Sequence, residues 1–411
     1  MNGVNAADTS FIIFATALVM LMTPGLALFY GGMVRRKNVL STTVHSYTAM
    51  VIVSLQWVIV GYTLCFGKDF AGFIGNFQFL GLQGVGFLPN ANYAATIPQS
   101  VFMLFQLMFA IITPALISGA IAERMKFIAF AVFILLWSIL VYDPIAHWVW
   151  GYGGWLRNLG ALDFAGGNVV HISSGVSALV AAIVIGKRKK LKTITPHNLP
   201  MTLLGAAILW FGWFGFNAGS ALAVNGIALN AFITTNTSAA AGALAWGICE
   251  LVVRKKVTSL GIASGIVVGL VSITPGAGFV SPMASILIGG FGGVICYFFV
   301  TVVKQKLGYD DALDAFGCHG IGGIWGGIAT GIFASKAINS AGANGLIYGN
   351  IKLVGIQLIA IVATIAYSAI MTFIILKVLG KFMSLRVTSE EEADGLDVSL
   401  HGEEAYGGPN I

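Results

Sequence analysis

Residues 162–186 read LDFAGGNVVHISSGVSALVAAIVIG, and residues 311–333 read DALDAFGCHGIGGIWGGIATGIF. Past Asp163 the first stretch carries no carboxylate, lysine or arginine until Lys187. Past Asp314 the second carries none until Lys336. Runs of roughly 20 apolar residues are long enough to cross a bilayer as helices. Each run holds one histidine, His171 or His319, eight residues after an aspartate, Asp163 or Asp311. An ionisable side chain at membrane depth is costly, so it marks a functional site by default.

The rest of the chain agrees with that reading. Of 411 residues only 9% are charged, and the mean hydropathy is +0.88. No soluble domain of this size has so little charge, so the expected fold class is an all-α polytopic membrane protein. The 53 glycines suit close helix packing in lipid, above all the strides Gly323, Gly327, Gly331 and Gly289, Gly293. The net charge of +6 is spread over short loops, which argues against a nucleic-acid partner. Cys65, Cys249, Cys296 and Cys318 lie in apolar stretches without metal-ligand spacing and read as free thiols. The opening MNGVNAADTS lacks the basic region of a signal peptide.

Candidate spans run over 10–34, 40–66, 98–121, 126–144, 165–186, 198–219, 228–253, 258–274, 279–303, 314–335 and 351–379, eleven in all. Alternate connections hold 18 of the 22 lysines and arginines, and Lys68, Arg157, Lys336 and Lys352 lie opposite. Basic residues favour the cytoplasmic side, which predicts an external N-terminus and a cytoplasmic C-terminus. The expected organisation is an external tail (1–9), a first half with helices 1–5 (10–197), a second half with helices 6–10 (198–335), an external loop and helix 11 (336–385), and a cytoplasmic tail (386–411). The loop near 67–97 reads as a partly ordered external cap.

Leu162-Asp163-Phe164-Ala165-Gly166-Gly167 before His171 is echoed by Leu313-Asp314-Ala315-Phe316-Gly317 before His319. The echoes fall on the fifth and tenth spans. Five-helix repeats have opposite topology, and inverted repeats place their site near the midplane. The two imidazoles would then meet mid-membrane. A helix-packing pair satisfied by carbonyls and a bis-histidine haem site are the competing readings of the pair.

Asp163 reads as a helix cap or as a carboxylate that attracts a cation, and both can hold. Glu250 and Arg254, spaced i,i+4, read as an ion pair at a helix end. Asp310, Asp311 and Asp314 read as structural charge at a helix N-terminus. The string from Trp210 to Ser220, the run Phe105-Gln106-Leu107-Met108-Phe109 and the end His147-Trp148-Val149-Trp150 are dense in aromatics. Interfacial belts account for Trp148 and Trp210. Aromatic faces beside one hydroxyl also make a site for a small cation.

Taken together, Phe29-Tyr30-Gly31-Gly32, Ala122-Glu123-Arg124, Leu162 through His171, Trp213 through Ser220 and Asp314 through His319 resemble the ammonium transporter family, the Amt, Mep and Rh group, in its bacterial or archaeal Amt form. The resemblance covers nearly the whole chain. It implies a homotrimer with a pore through each subunit, no cofactor and no enzymatic activity. It implies an outer ammonium site at Trp150, Phe109 and Ser220 with Phe105 nearby. Phe109 and Phe216 would form a gate, His171 and His319 would line the pore, and Asp163 would serve recruitment or deprotonation. The tail from Glu390 onward resembles the family's cytoplasmic segment, which couples subunits and in bacterial members is linked to a PII-type protein. The function expected is movement of ammonium or ammonia, and methylammonium, into the cytoplasm across the cell membrane (the inner membrane in a Gram-negative cell). An ammonium sensor signalling to a cytoplasmic partner is the alternative, against which the short tail speaks.

Overall fold

The computed structural model describes residues 3–189 and 195–407. Among them eleven helices cross the molecule: α1 (Ala6–Met33), α2 (Arg36–Phe66), α3 (Gln99–Ile121), α4 (Phe127–Leu159, interrupted at 151–154), α5 (Gly167–Ile185), α6 (Leu199–Gly219), α7 (Gly226–Arg254), α8 (Ser259–Ile273), α9 (Pro282–Leu307), α10 (316–333) and α11 (Ile351–Phe382). Nine are long and apolar enough to span a membrane by themselves, and α8 and α10 complete the set. Side chains of Asn5, Asn198, Asn225, Thr258 and Ser281 accept first-turn amides of α1 and α6–α9, which fixes where each helix begins.

Glycine sets how closely the helices approach. A Cβ on Gly205 of α6 would lie 2.3 Å from the Phe29 nitrogen of α1. On α9, Gly289 and Gly293 sit against the Ser238 and Gly242 carbonyls of α7, where a Cβ would come within 2.2 and 2.7 Å. The expected stride on α9 is thus a backbone contact with α7.

The helix connections divide between two faces. One carries the C-terminal tail and is called here the tail face; the other is the loop face. On the loop face, residues 67–97 form two antiparallel hairpins, β1 (Asp69–Phe70) with β2 (Ile74–Gly75) and β3 (Pro89–Asn90) with β4 (Ala94–Pro98).

The fourth crossing is longer than the apolar run 126–144, because its helix continues from Asp143 to Trp150. Polar side chains interrupt the sequence pattern there, yet each is satisfied inside the fold. Asp143 accepts from Gln56 Nε2 at 2.7 Å and from Cys65 Sγ at 3.4 Å. His147 bridges the Cys65 carbonyl (2.8 Å) and Asp69 (2.9 Å). This extension carries Trp150 to its place on the loop face.

Two local expectations are corrected. Glu250 does not pair with Arg254; the turn at 255–258 folds back, and its carboxylate takes the Thr258 amide (2.7 Å) and hydroxyl (2.9 Å). In the repeat, Asp163 corresponds to Asp311 rather than Asp314. Asp311 accepts from the amides of Ala315 and Phe316, whereas Asp314 has φ +60° and pairs with Lys304 at 2.6 Å.

On the tail face a buried ionic network joins distant connections. Arg188 contacts Glu123 (2.9 Å) and Asp310 (2.7 Å), and Glu123 also holds Arg35 and Asn38. Burial alone would raise the Glu123 and Asp310 carboxyls, but the guanidiniums outweigh it. Glu123 is held below its ordinary value, and Asp310 is pulled down to about 2. The tail docks here as well. Its helix α12 (Ser389–Asp394) starts with a Thr388/Glu391 capping box, Glu392 pairs with Arg386 at 2.8 Å, and Asp397 accepts the Leu40 and Ser41 amides near the start of α2.

Candidate functional site

The fifth and tenth helices begin alike and enter from opposite faces. Asp163 takes four amides, those of Gly166 (2.9 Å), Gly167 (2.5 Å), Asn168 (2.8 Å) and Val169 (3.3 Å). Asp311 takes two amides at the corresponding start of α10. Both helices then open with a π-turn, Gly167–Ile172 and Phe316–Gly320, and each π-turn holds its histidine. Wider turns of this kind re-aim side chains and cluster at functional positions.

Glycine lets the two helices touch next to the histidines. A Cβ on Gly175 would lie 2.2 Å from the Gly320 nitrogen, and one on Gly323 would lie 3.1 Å from the His171 Cβ. This contact brings His171 Nδ1 to 3.3 Å from His319 Nδ1, with the rings near-parallel at 20° and 5.4 Å apart. One Nδ1 donates and the other accepts, so the pair shares a proton. His171 Nε2 is buried without a partner among the described residues. An orphaned buried nitrogen costs about 1–3 kcal/mol and marks where a polar passenger could be received.

Three cavities lie in series along this axis. The loop-face cavity has a volume of about 180 Å³, and its walls include Phe109, Trp150, Phe164, Ser220 and Gln106. Below it Phe109 and Phe216 close the path, with ring centroids 4.3 Å apart, and Trp150 meets Phe109 edge-on at 5.7 Å. Next comes a narrow apolar void of about 10 Å³ bounded by Phe216, Trp213, Leu209, Val170 and both histidines. Trp213 stacks on His171 at 5.4 Å and anchors its own Nε1 on Thr274. His319 is shared with the third cavity, of about 200 Å³, which opens toward the tail face past Ser264, Thr301, Glu250 and Asp314.

The structure thus gathers Trp150, Phe109, Ser220, Phe216, His171 and His319 along one path. Phe105 is not on it: fully buried, it packs behind Phe109 at 5.0 Å and against Gly219. Asp163 does not face the path either. Its carboxylate is consumed by the start of α5, while its carbonyl accepts from Trp150 Nε1 at 2.9 Å. Asp163 therefore positions both α5 and the outer indole.

Sequence reading missed Gln106, whose Oε1 is buried in the outer cavity wall without a partner among the described residues. The signal was available, since Gln106 precedes Phe109 by one helical turn. It also missed Arg157, held at the cavity rim by the Trp150 carbonyl (2.8 Å) and exposed to solvent, where its charge is screened.

No cluster of three or more His, Cys, Asp or Glu fit for a metal occurs among the described residues. The 3.3 Å histidine contact leaves no space for a haem plane between the rings. What the arrangement offers is a polar, aromatic chamber at each end and a narrow apolar constriction with a proton-sharing pair between them.

The chain is similar to known proteins over nearly its whole length. Residues 10–406 match the Ammonium Transporter Family. An "Ammonium transporter" of Bacillus subtilis (strain 168) is 59% identical over 399 residues, covering 97% of this chain and 98% of that one. The crystal structure of Saccharomyces cerevisiae Mep2 superposes with a TM-score of 0.88 at 37% identity, covering 94% and 91% of the two chains. A structure described as "Sensor Amt Protein" superposes with a TM-score of 0.89 at 31% identity, covering 96% and 98%.

Proposed function

The chain belongs to the ammonium transporter family, and from that premise we propose that it carries ammonium, and methylammonium, across the membrane as the neutral amine. Ammonium is received in the loop-face cavity against Trp150 and Phe109, with Ser220 as a hydrogen-bond acceptor. Cation–π contact with a desolvated indole is worth roughly 2 kcal/mol. Gln106 offers a second acceptor. Ammonium passes its proton to water on this side of the Phe109–Phe216 constriction, and the amine moves along His171 and His319 into the tail-face cavity, where it takes a proton from water.

Selectivity follows from charge, because ammonium and potassium are alike in size. Taking an unpaired cation into an apolar passage costs tens of kcal/mol by an idealised reckoning, roughly, and a neutral amine far less. Potassium cannot shed its charge. The imidazole pair offers the amine hydrogen-bond partners where the other walls have none. The observation that carries this reading is the histidine contact inside the narrow apolar void between two polar chambers.

The loop face is taken as external and the tail face as cytoplasmic, following the lysine and arginine distribution. The halves 10–197 and 198–335 act as inverted repeats around the path, with the protein resident in the cell membrane. A homotrimer with one path per subunit, and a PII-type protein on the tail face, complete the proposal.

The likeness to "Sensor Amt Protein" supports a second reading, an ammonium sensor that signals through the docked tail. Deleting 387–411 separates the two: retained uptake favours transport, and an inert pore with a regulatory phenotype favours sensing. The test of the main reading is uptake and current in proteoliposomes for wild type, His171→Ala, His319→Ala and Asp163→Ala, with potassium as competitor. The expected result is no uptake for the aspartate variant and altered rate or selectivity for the histidine variants. Wild-type discrimination in all three would contradict the site assignment.

A further inference from the structure

We infer that the groove between α5 and α9 at the tail face is a binding site for an anionic phospholipid. The groove encloses about 610 Å³, a volume typical of ligand sites. Its two walls are apolar and follow helical stride. Leu179, Ala182 and Ile183 face it from α5, and Phe299, Val303 and Leu307 from α9. Ile183 and Leu307 are 61% and 71% exposed, so the groove is open to whatever surrounds the molecule at membrane depth.

The chemistry changes at the mouth, where the helices reach the level of the headgroups. Lys187 lies there, exposed, with its Nζ over Gly308, 3.4 Å from where a Cβ would stand. Asp310, the one carboxylate lining the mouth among the described residues, is already taken by the Arg188 guanidinium and amide. Lys187 has no ion-pair partner among the described residues. Lys306, also exposed, adds charge at the end of α9. Apolar walls below and an uncompensated cation at the interface fit a phospholipid, and the cation selects an anionic one.

The site reaches the path described above. Phe316 lines the groove and begins the π-turn that holds His319. Its ring also presses on Gly320, where a Cβ would lie 2.5 Å away, at the Gly175 contact. An acyl chain in the groove therefore buttresses the histidine-bearing turn from behind.

The experiment is photolabelling of the full chain in phosphatidylcholine vesicles doped with a diazirine-bearing phosphatidylglycerol, or with the matched phosphatidylcholine probe. Labelling needs no transport, so its outcome is independent of the substrate. The expected result is phosphatidylglycerol label on peptides covering 179–187 and 299–309. Lys187→Gln should lower it about fivefold, the worth of one basic residue beside an anionic headgroup. Ile183→Trp, an exposed position that fills the groove, should remove it. Equal labelling by both lipids, unchanged in Lys187→Gln, would overturn the site. So would attachment of a photoreactive side chain at Leu307 to a second copy of the chain.

Discussion

Replacing Gly175 by alanine perturbs the one contact on which the histidine geometry rests. The new methyl would lie 2.2 Å from the Gly320 nitrogen and 2.4 Å from its Cα. Ordinary contact begins near 3.4 Å. The neighbour is backbone and cannot rotate away, so α5 and α10 must separate by about 1 Å. Overpacking of this kind costs about 1–3 kcal/mol. The His171–His319 contact, already 3.3 Å, then exceeds hydrogen-bond range. Losing one buried hydrogen bond is worth about 1–3 kcal/mol, which predicts a fall in uptake of roughly 5- to 150-fold. The assay is methylammonium uptake into proteoliposomes, with the melting temperature from tryptophan fluorescence as a parallel reading. Gly290→Ala is the control, since nothing lies within 4 Å of its Cβ. Uptake and melting temperature equal to wild type in Gly175→Ala would refute the reasoning.

Asp163→Asn keeps one acceptor oxygen and turns a donor toward the remaining amides at the start of α5. It should cost about 1–3 kcal/mol and reduce uptake, checked by melting temperature and uptake together. Arg188→Ala leaves Glu123 and Asp310 buried without their shared partner and should destabilise the protein by about 3–5 kcal/mol, read from thermal melting. Asp310 should make stability acid-sensitive. Its folded value near 2 lies below the ordinary 3.8, so its contribution is complete above the ordinary value and fades as pH falls from about 4 toward 2. A melting temperature flat over that window in wild type, or as steep in Arg188→Ala as in wild type, would contradict the network.

The spans, the two histidines and most of the aromatic path were legible in the sequence because each depends on local pattern. An apolar run of fixed length, a titratable group within it and an aromatic string all show within one segment. Features built between segments were not. Glu123 reaches Arg35 and Arg188 through a turn with φ +68°, and Arg188 reaches Asp310 more than a hundred residues on. No spacing rule links such positions. The aromatic end at His147–Trp150 showed where the fourth span finishes, but its apolar run stopped at 144, because Asp143 and His147 look like a helix end until their partners from α2 and β1 are in place. Asp314 looked like the partner of Asp163 by its flanking residues, while the shared eight-residue interval to each histidine picked out Asp311. Phe105 and Phe109 differ by one turn, and only packing reveals that the first supports the second.

The central claim is that the path admits only a passenger able to leave its charge behind. Potassium flux through the wild-type protein tests it most directly, measured in proteoliposomes under a gradient that sustains ammonium uptake in the same preparation. The account predicts no potassium flux above protein-free vesicles. A potassium flux approaching that of ammonium would contradict it.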